Sequence, residues 1–202
     1  MRYMKYDLFP TQVIRFDAAD ALEPGDVDAM KRDVDAMIED GRVMQVDDLT
    51  PKHQSRPVLF SEGCPPHWTR LRSSFMTACS MYIDTIDDAV KNQDKVQPTG
   101  CRAWFYKGWG SLNRVETNPW HDHSPSFISG VFYLDVPGDG KSGGTVFADP
   151  RRNEGRGTRQ QEVPPMPLTW VLFPGWLTHK SSNLDIEQPR YVIAADCYVR
   201  VP

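Results

Sequence analysis

Hydrophobic positions recur along this chain with two different periods, and the change falls near residue 100. Val27, Met30, Val34, Met37 and Ile38 are spaced to trace one face of an α-helix, opened by Glu23-Pro24-Gly25-Asp26 and closed by Gly41. Trp68, Leu71, Phe75, Cys79, Tyr82, Ile86 and Val90 repeat the same spacing after Pro65-Pro66 and predict a second, longer helix. Each helix has one apolar stripe and needs a sheet to cover it. From Gly100 onward the pattern becomes short runs rich in Val, Ile, Phe, Trp and Tyr, separated by Gly and Pro: Cys101–Tyr106, Ile128–Asp135, Gly144–Ala148, Leu168–Phe173 and Arg190–Val199. Thr11–Phe16 is a further short strand ahead of the helices. Strands without intervening helical pattern predict an antiparallel sandwich or barrel, not a doubly wound sheet. The expected layout is a single domain over residues 1–202, mainly β with flanking helices, with helical support at about 20–95 and a β core at about 100–202. Pro150–Pro167, polar and carrying Arg151, Arg152, Arg156 and Arg159, reads as one long surface loop.

Composition narrows the class of function. The chain has 202 residues, enough to bury a core without staples. Its 25% charged and 40% hydrophobic residues are ordinary globular usage, which excludes wholesale disorder. A formal net charge of −4 offers no basic field for nucleic acid, so the expected partner is a small-molecule or protein substrate. The most apolar window, Leu168–Leu177, falls well short of the roughly 20 residues that cross a bilayer. The start of the chain has no signal-peptide core, and the four cysteines fit no C-x-x-C pattern, so a reduced, cytoplasmic protein is expected.

The candidate chemistry lies in three of the five histidines. His121 and His123 are two residues apart, and in an extended segment such side chains project to the same side. His179 follows a strand and the turn Pro174-Gly175, a geometry that can aim a third ligand at the same ion. Two histidines plus a third ligand leave open positions on a six-coordinate metal, as in non-haem iron oxygenases, although imidazole alone also suits zinc, copper or nickel. Asn118-Pro119-Trp120 ahead of the pair is stiff and aromatic, and Arg190 stands at the head of the next strand.

Leu8-Phe9-Pro10-Thr11, His121-Asp122-His123, Ser129-Gly130-Val131-Phe132-Tyr133-Leu134, Phe147-Ala148-Asp149-Pro150-Arg151 and Phe173-Pro174-Gly175-Trp176-Leu177-Thr178-His179 occur in that order. In these blocks the chain resembles the small bacterial and phage iron(II)/2-oxoglutarate oxygenases. The resemblance implies a double-stranded β-helix, a jelly roll with two α-helices packed on one sheet. It implies Fe(II), 2-oxoglutarate and O₂ as cofactor, cosubstrate and oxidant. It implies that His121, His123 and His179 hold the metal and so carry the catalysis, and that Arg190 pairs with the far carboxylate of 2-oxoglutarate. The implied reaction is hydroxylation of a substrate with release of succinate and CO₂.

Two positions depart from the wider superfamily. The place of the usual carboxylate ligand is taken by His123, with Asp122 as the alternative if the segment turns. The small hydroxyl residue expected two after the arginine is Val192, so Tyr106 or Ser129 becomes the candidate second anchor of the cosubstrate. A cupin-type metal site independent of 2-oxoglutarate, and a catalytically silent β-barrel binding module, are the rival readings. The remaining motifs read as structure: a core stripe at Trp68, Phe75 and Tyr82, barrel-filling tryptophans, solvent-facing His53 and His67, and buried thiols at Cys101 and Cys197. Thr11–Phe16 offers a strand edge for a homodimer.

Overall fold

In the computed structural model, which describes residues 11–45, 52–86, 97–110, 120–136, 143–151, 159–182 and 186–200, the first apolar stripe forms helix α1, Asp26–Glu39. Gly25, at φ 92°, takes the left-handed turn that leads into it, and the acidic Asp26 and Asp28 suit the positive end of the helix. Gly41, at φ 68°, ends it: its amide bonds Ile38 O and the Arg42 amide bonds Met37 O, a Schellman closure. The second stripe forms α2, Pro66–Thr85, with proline in the first turn, where a missing N–H costs nothing. α2 ends at Thr85, earlier than expected: Ile86, expected on its stripe, is extended and caps the helix, and Val90 lies outside the described residues.

The described residues form ten strands. They are β1 (Ile14–Asp17), β2 (Val43–Gln45), β3 (Lys52–Ser55), β4 (Gln97–Gly110) and β5 (Ile128–Asp135), then β6 (Thr145–Ala148), β7 (Gln160–Val163), β8 (Thr169–Pro174), β9 (His179–Ser181) and β10 (Ile186–Arg200). A seven-stranded antiparallel sheet runs β1-β8-β5-β10-β4-β3-β2, and a three-stranded sheet runs β7-β6-β9. The architecture is the double-stranded β-helix, with both helices on the larger sheet.

Side-chain alternation along β10 separates two cores. Tyr191, Ile193, Ala195 and Cys197 join the helices in one buried cluster with Met30, Val34, Trp68, Leu71 and Phe75. Val192, on the opposite face, joins Tyr133, Phe147, Val171, Phe173 and Leu177 between the two sheets. Close packing fixes how α2 sits on the sheet. Phe75 and Trp170 have ring centroids 4.7 Å apart, and a Cβ on Gly130 would lie 2.8 Å from Phe75 Cε2. Polar ties hold α1 on the same surface: Arg70 of α2 makes two bonds of 2.6–2.7 Å to buried Asp26, and Asp35 accepts from Lys107 and Tyr191 of the sheet.

Five expectations change. The presumed loop Pro150–Pro167 contains β7, whose Gln-Gln-Glu-Val sequence is largely exposed and so lacks the apolar alternation that marks a strand. His53 is not a solvent-facing loop residue; it lies half-buried in β3, opposite Lys107. His67 is also half-buried, with Nε2 2.7 Å from Asp33 Oδ2. Cys101 is only half-buried, whereas Cys197 is fully buried. β1 begins at Ile14, three residues later than the expected strand, and forms one edge of the larger sheet. No described helix is long and apolar enough to cross a membrane.

Candidate metal centre

His121, His123 and His179 converge, each offering one ligand nitrogen within 4.8 Å of the others. The convergence is a backbone construction. His121 and His179 form an isolated antiparallel bridge, with N–H···O distances of 3.1 and 2.9 Å, which extends the smaller sheet by one residue beyond β9. The His123 amide donates to Gly175 O at 2.8 Å, so the Pro174-Gly175 turn holds the His-x-His segment beside the strand that leads to His179. The ring centroids lie 4.4 Å (His121–His179), 5.0 Å (His123–His179) and 5.3 Å (His121–His123) apart.

The hydrogen bonds select which nitrogens stay available. A carbonyl can only accept, so the 2.9 Å contact between His179 Nδ1 and Leu177 O places the proton on Nδ1 and leaves the Nε2 lone pair free. His123 Nδ1 lies 2.7 Å from Asp196 Oδ1, and donation to that carboxylate likewise frees Nε2. Burial, reinforced by the His121 ring, pushes the His179 pKa down to about 3 against the pull of Leu177 O, so the ring is neutral and ready to ligate. Phe173 packs edge-on against His179 at 4.6 Å and Phe147 lies 6.0 Å away, while Trp104 stacks on His123 at 5.5 Å. The donor set therefore fits a metal ion that accepts neutral imidazole, in an aromatic-walled site.

Asp122, the alternative third ligand, is exposed. Its carboxylate accepts the Ser124 amide at 2.9 Å, the bond that holds its pKa below the usual range. Asn118 and Pro119 lie outside the described residues. Arg190 sits on β10 opposite Gly108, on the same side of the strand as Val192 and Asp196 by alternation. Burial lowers its pKa and the nearby Tyr133 works against that, but the guanidinium remains a cation. Among the described residues no carboxylate lies within ion-pair distance of it. Tyr106, opposite Val192, packs against the inter-sheet core, and burial raises its pKa while the nearby Trp104 indole offsets part of the rise. Trp104 Nε1 itself is buried with no hydrogen-bond partner among the described residues. Ser129 is fully buried, and its hydroxyl donates to Asp196 Oδ1 at 2.8 Å.

Three contributors escape sequence reasoning: Asp196, Arg102 and Trp104. Asp196 had a signal, as a lone acid within the apolar run Val192–Val199, where a charge must find partners. Its pKa, which burial works to raise, is held down by His123, Ser129 and Arg102.

Comparison with known proteins agrees with this geometry. Residues 108–196, which hold all three histidines and Arg190, match a family model described as "Putative 2OG-Fe(II) oxygenase". Over this segment the chain is similar to the 2OG-Fe(II) oxygenases. No curated protein matches the chain in sequence. Its fold is shared with a Pseudomonas putida prolyl-4-hydroxylase (TM-score 0.55, 12% identity, 94% of each chain covered). It is shared also with AviO1 of Streptomyces viridochromogenes (0.62, 15% identity, 93% of this chain and 90% of that one). A third similar structure is HygX of Streptomyces hygroscopicus, solved with nickel and 2-oxoglutarate bound (0.54, 14% identity, 93% and 83% covered). These likenesses show the fold, and the matched family model is described by Fe(II) and 2-oxoglutarate.

Proposed function

We propose that this protein is a 2-oxoglutarate-dependent oxygenase that hydroxylates a small-molecule or protein substrate at an Fe(II) centre held by His121, His123 and His179, with Arg190 anchoring 2-oxoglutarate. The observation that carries the reading is the convergence of three imidazoles, two of them with Nδ1 engaged and Nε2 left free; Arg190, near Tyr133 on the Val192 face of β10, is the candidate carboxylate partner. Fe(II) with 2-oxoglutarate and O₂ would supply the oxidation, one oxygen atom going to the substrate hydroxyl and the other to succinate as CO₂ leaves.

The protein's part is positional. The three histidines present imidazole nitrogens from two segments locked together by the His121–His179 bridge. Arg190 offers a planar fork to a carboxylate, and its desolvation strengthens that pairing. Phe147, Phe173 and Trp104 exclude water from the rings. Tyr106 is the better-disposed candidate for a second contact with the cosubstrate, because the Ser129 hydroxyl is already engaged by Asp196.

The test is anaerobic calorimetry of 2-oxoglutarate binding with Fe(II) or redox-silent Mn(II). Wild type should bind only with metal. His179→Ala should abolish metal-dependent binding, and Arg190→Ala should weaken it by about 2–5 kcal/mol while metal still binds. Metal binding indifferent to 2-oxoglutarate would overturn the reading in favour of a cupin-type centre.

A further inference from the structure

Three neutral histidines leave a bound divalent ion without the charge compensation that a carboxylate ligand gives. One carboxylate nevertheless stands next in line. Asp196 is fully buried, and each of its oxygens accepts two bonds: Oδ1 from His123 Nδ1 (2.7 Å) and Ser129 Oγ (2.8 Å), Oδ2 from Arg102 Nε (3.0 Å) and Nη2 (2.9 Å). Ser129 donates to Asp196, so the 2.9 Å contact between Ser126 and Ser129 has Ser126 donating, and the chain of donors runs Ser126 to Ser129 to Asp196. A carboxylate held by four donors cannot rotate away, and the ring it holds is fixed from a second side by stacking on Trp104, with an interplanar angle of 29°. Ser129 faces Asp196 directly across the β5–β10 pairing, so the network is written into strand register.

Resting on the iron-site reading above, we propose that Asp196 is a positioning residue that acts through His123, fixing its Nε2 toward the metal and giving the all-histidine site its negative charge from one hydrogen bond away. A histidine that donates its second N–H to a carboxylate is a more basic ligand with a fixed tautomer. Arg102 does not cancel this effect, because its side chain is about half exposed and screened by water, whereas Asp196 is dry. Asp196 therefore stands in, at one remove, for the missing ligand carboxylate. The arrangement also accounts for Ser129 as a member of this network.

The experiment measures Mn(II) affinity by calorimetry on wild type, Asp196→Asn, Asp196→Ala and His123→Ala, with the His123 ring nitrogens followed by ¹⁵N NMR in the metal-free proteins. Asp196→Ala should weaken Mn(II) binding roughly 10- to 100-fold, and the Nδ1–H signature of His123 should be lost. Asp196→Asn keeps size and one acceptor, so it should hold the tautomer while still losing affinity, which separates charge from orientation and covers the case in which the alanine variant fails to fold. In a His123→Ala background, adding Asp196→Asn should change Mn(II) affinity by less than about twofold, because the route to the metal is gone. Wild type that binds Mn(II) while folded Asp196→Asn and Asp196→Ala bind it equally well overturns the proposal and leaves the iron site standing. Wild type that binds no Mn(II) overturns both.

Discussion

Gly175 lies hard against Ser126: a Cβ at Gly175 would sit 2.1 Å from the Ser126 carbonyl oxygen and 2.3 Å from its hydroxyl. Gly175 also accepts the His123 amide, and its own amide donates to Phe127 O at 3.1 Å. The residue thus clamps the His-x-His segment through its backbone on one side while leaving room for Ser126 on the other. Gly175→Ala must push Ser126 away, and the displaced backbone carries His123 with it. The expected outcome is Mn(II) affinity lower by at least about tenfold, in line with disturbance of a ligand's supporting bonds, accompanied by a fall in Tm. Calorimetry and a thermal melt on the same preparation check it.

Gly130 is a contrasting case in which function should change less than stability. Its missing side chain makes room for Phe75 of α2, and a Cβ there would meet Phe75 at 2.8 Å, Trp170 at 3.3 Å and Leu172 at 3.4 Å. Gly130→Ala overpacks the helix–sheet seam and should cost about 1–3 kcal/mol in denaturant unfolding. Metal affinity of the folded fraction should stay near wild type, because Gly130 faces the helices and not the inter-sheet space.

Acid should act on the seam between α1 and α2. The Arg70 bonds lower the Asp26 pKa below its ordinary value despite burial, with the Glu23 amide adding to the effect. A carboxylate with a depressed folded-state pKa contributes stability that is fully present above its unfolded value, near 3.8, and is lost as pH falls through the folded value. Asp26→Asn should therefore be less stable than wild type at pH 7, and the gap should close progressively below about pH 4. Urea unfolding of both proteins across that range checks the sign; a gap that widens on acidification would contradict it.

The helices and the long strands were readable because each presents one periodic apolar face over many residues. α1, α2, β5 and β8 lie within a residue or two of their expected limits at most ends. β2, β3, β7 and β9 are three or four residues long, all but β2 mainly polar, and held by their neighbours' backbones, so no local pattern announces them. The candidate site divides in the same way. His121 and His123 share a strand-like spacing and His179 follows a turn, which is local information, whereas Asp196 comes within reach of His123 only because β10 pairs with β5 in one register.

The sequence by itself determined the two apolar stripes, the β-rich second half and a His-x-His pair with a later histidine, because residue type and spacing express those directly; Arg190 stood out only through the family resemblance. Tertiary structure alone decided which nitrogens remain free, which carboxylate backs His123, and which glycines must stay without a side chain. Each of these depends on the approach of segments distant along the chain, at contact distances set by strand pairing and close packing.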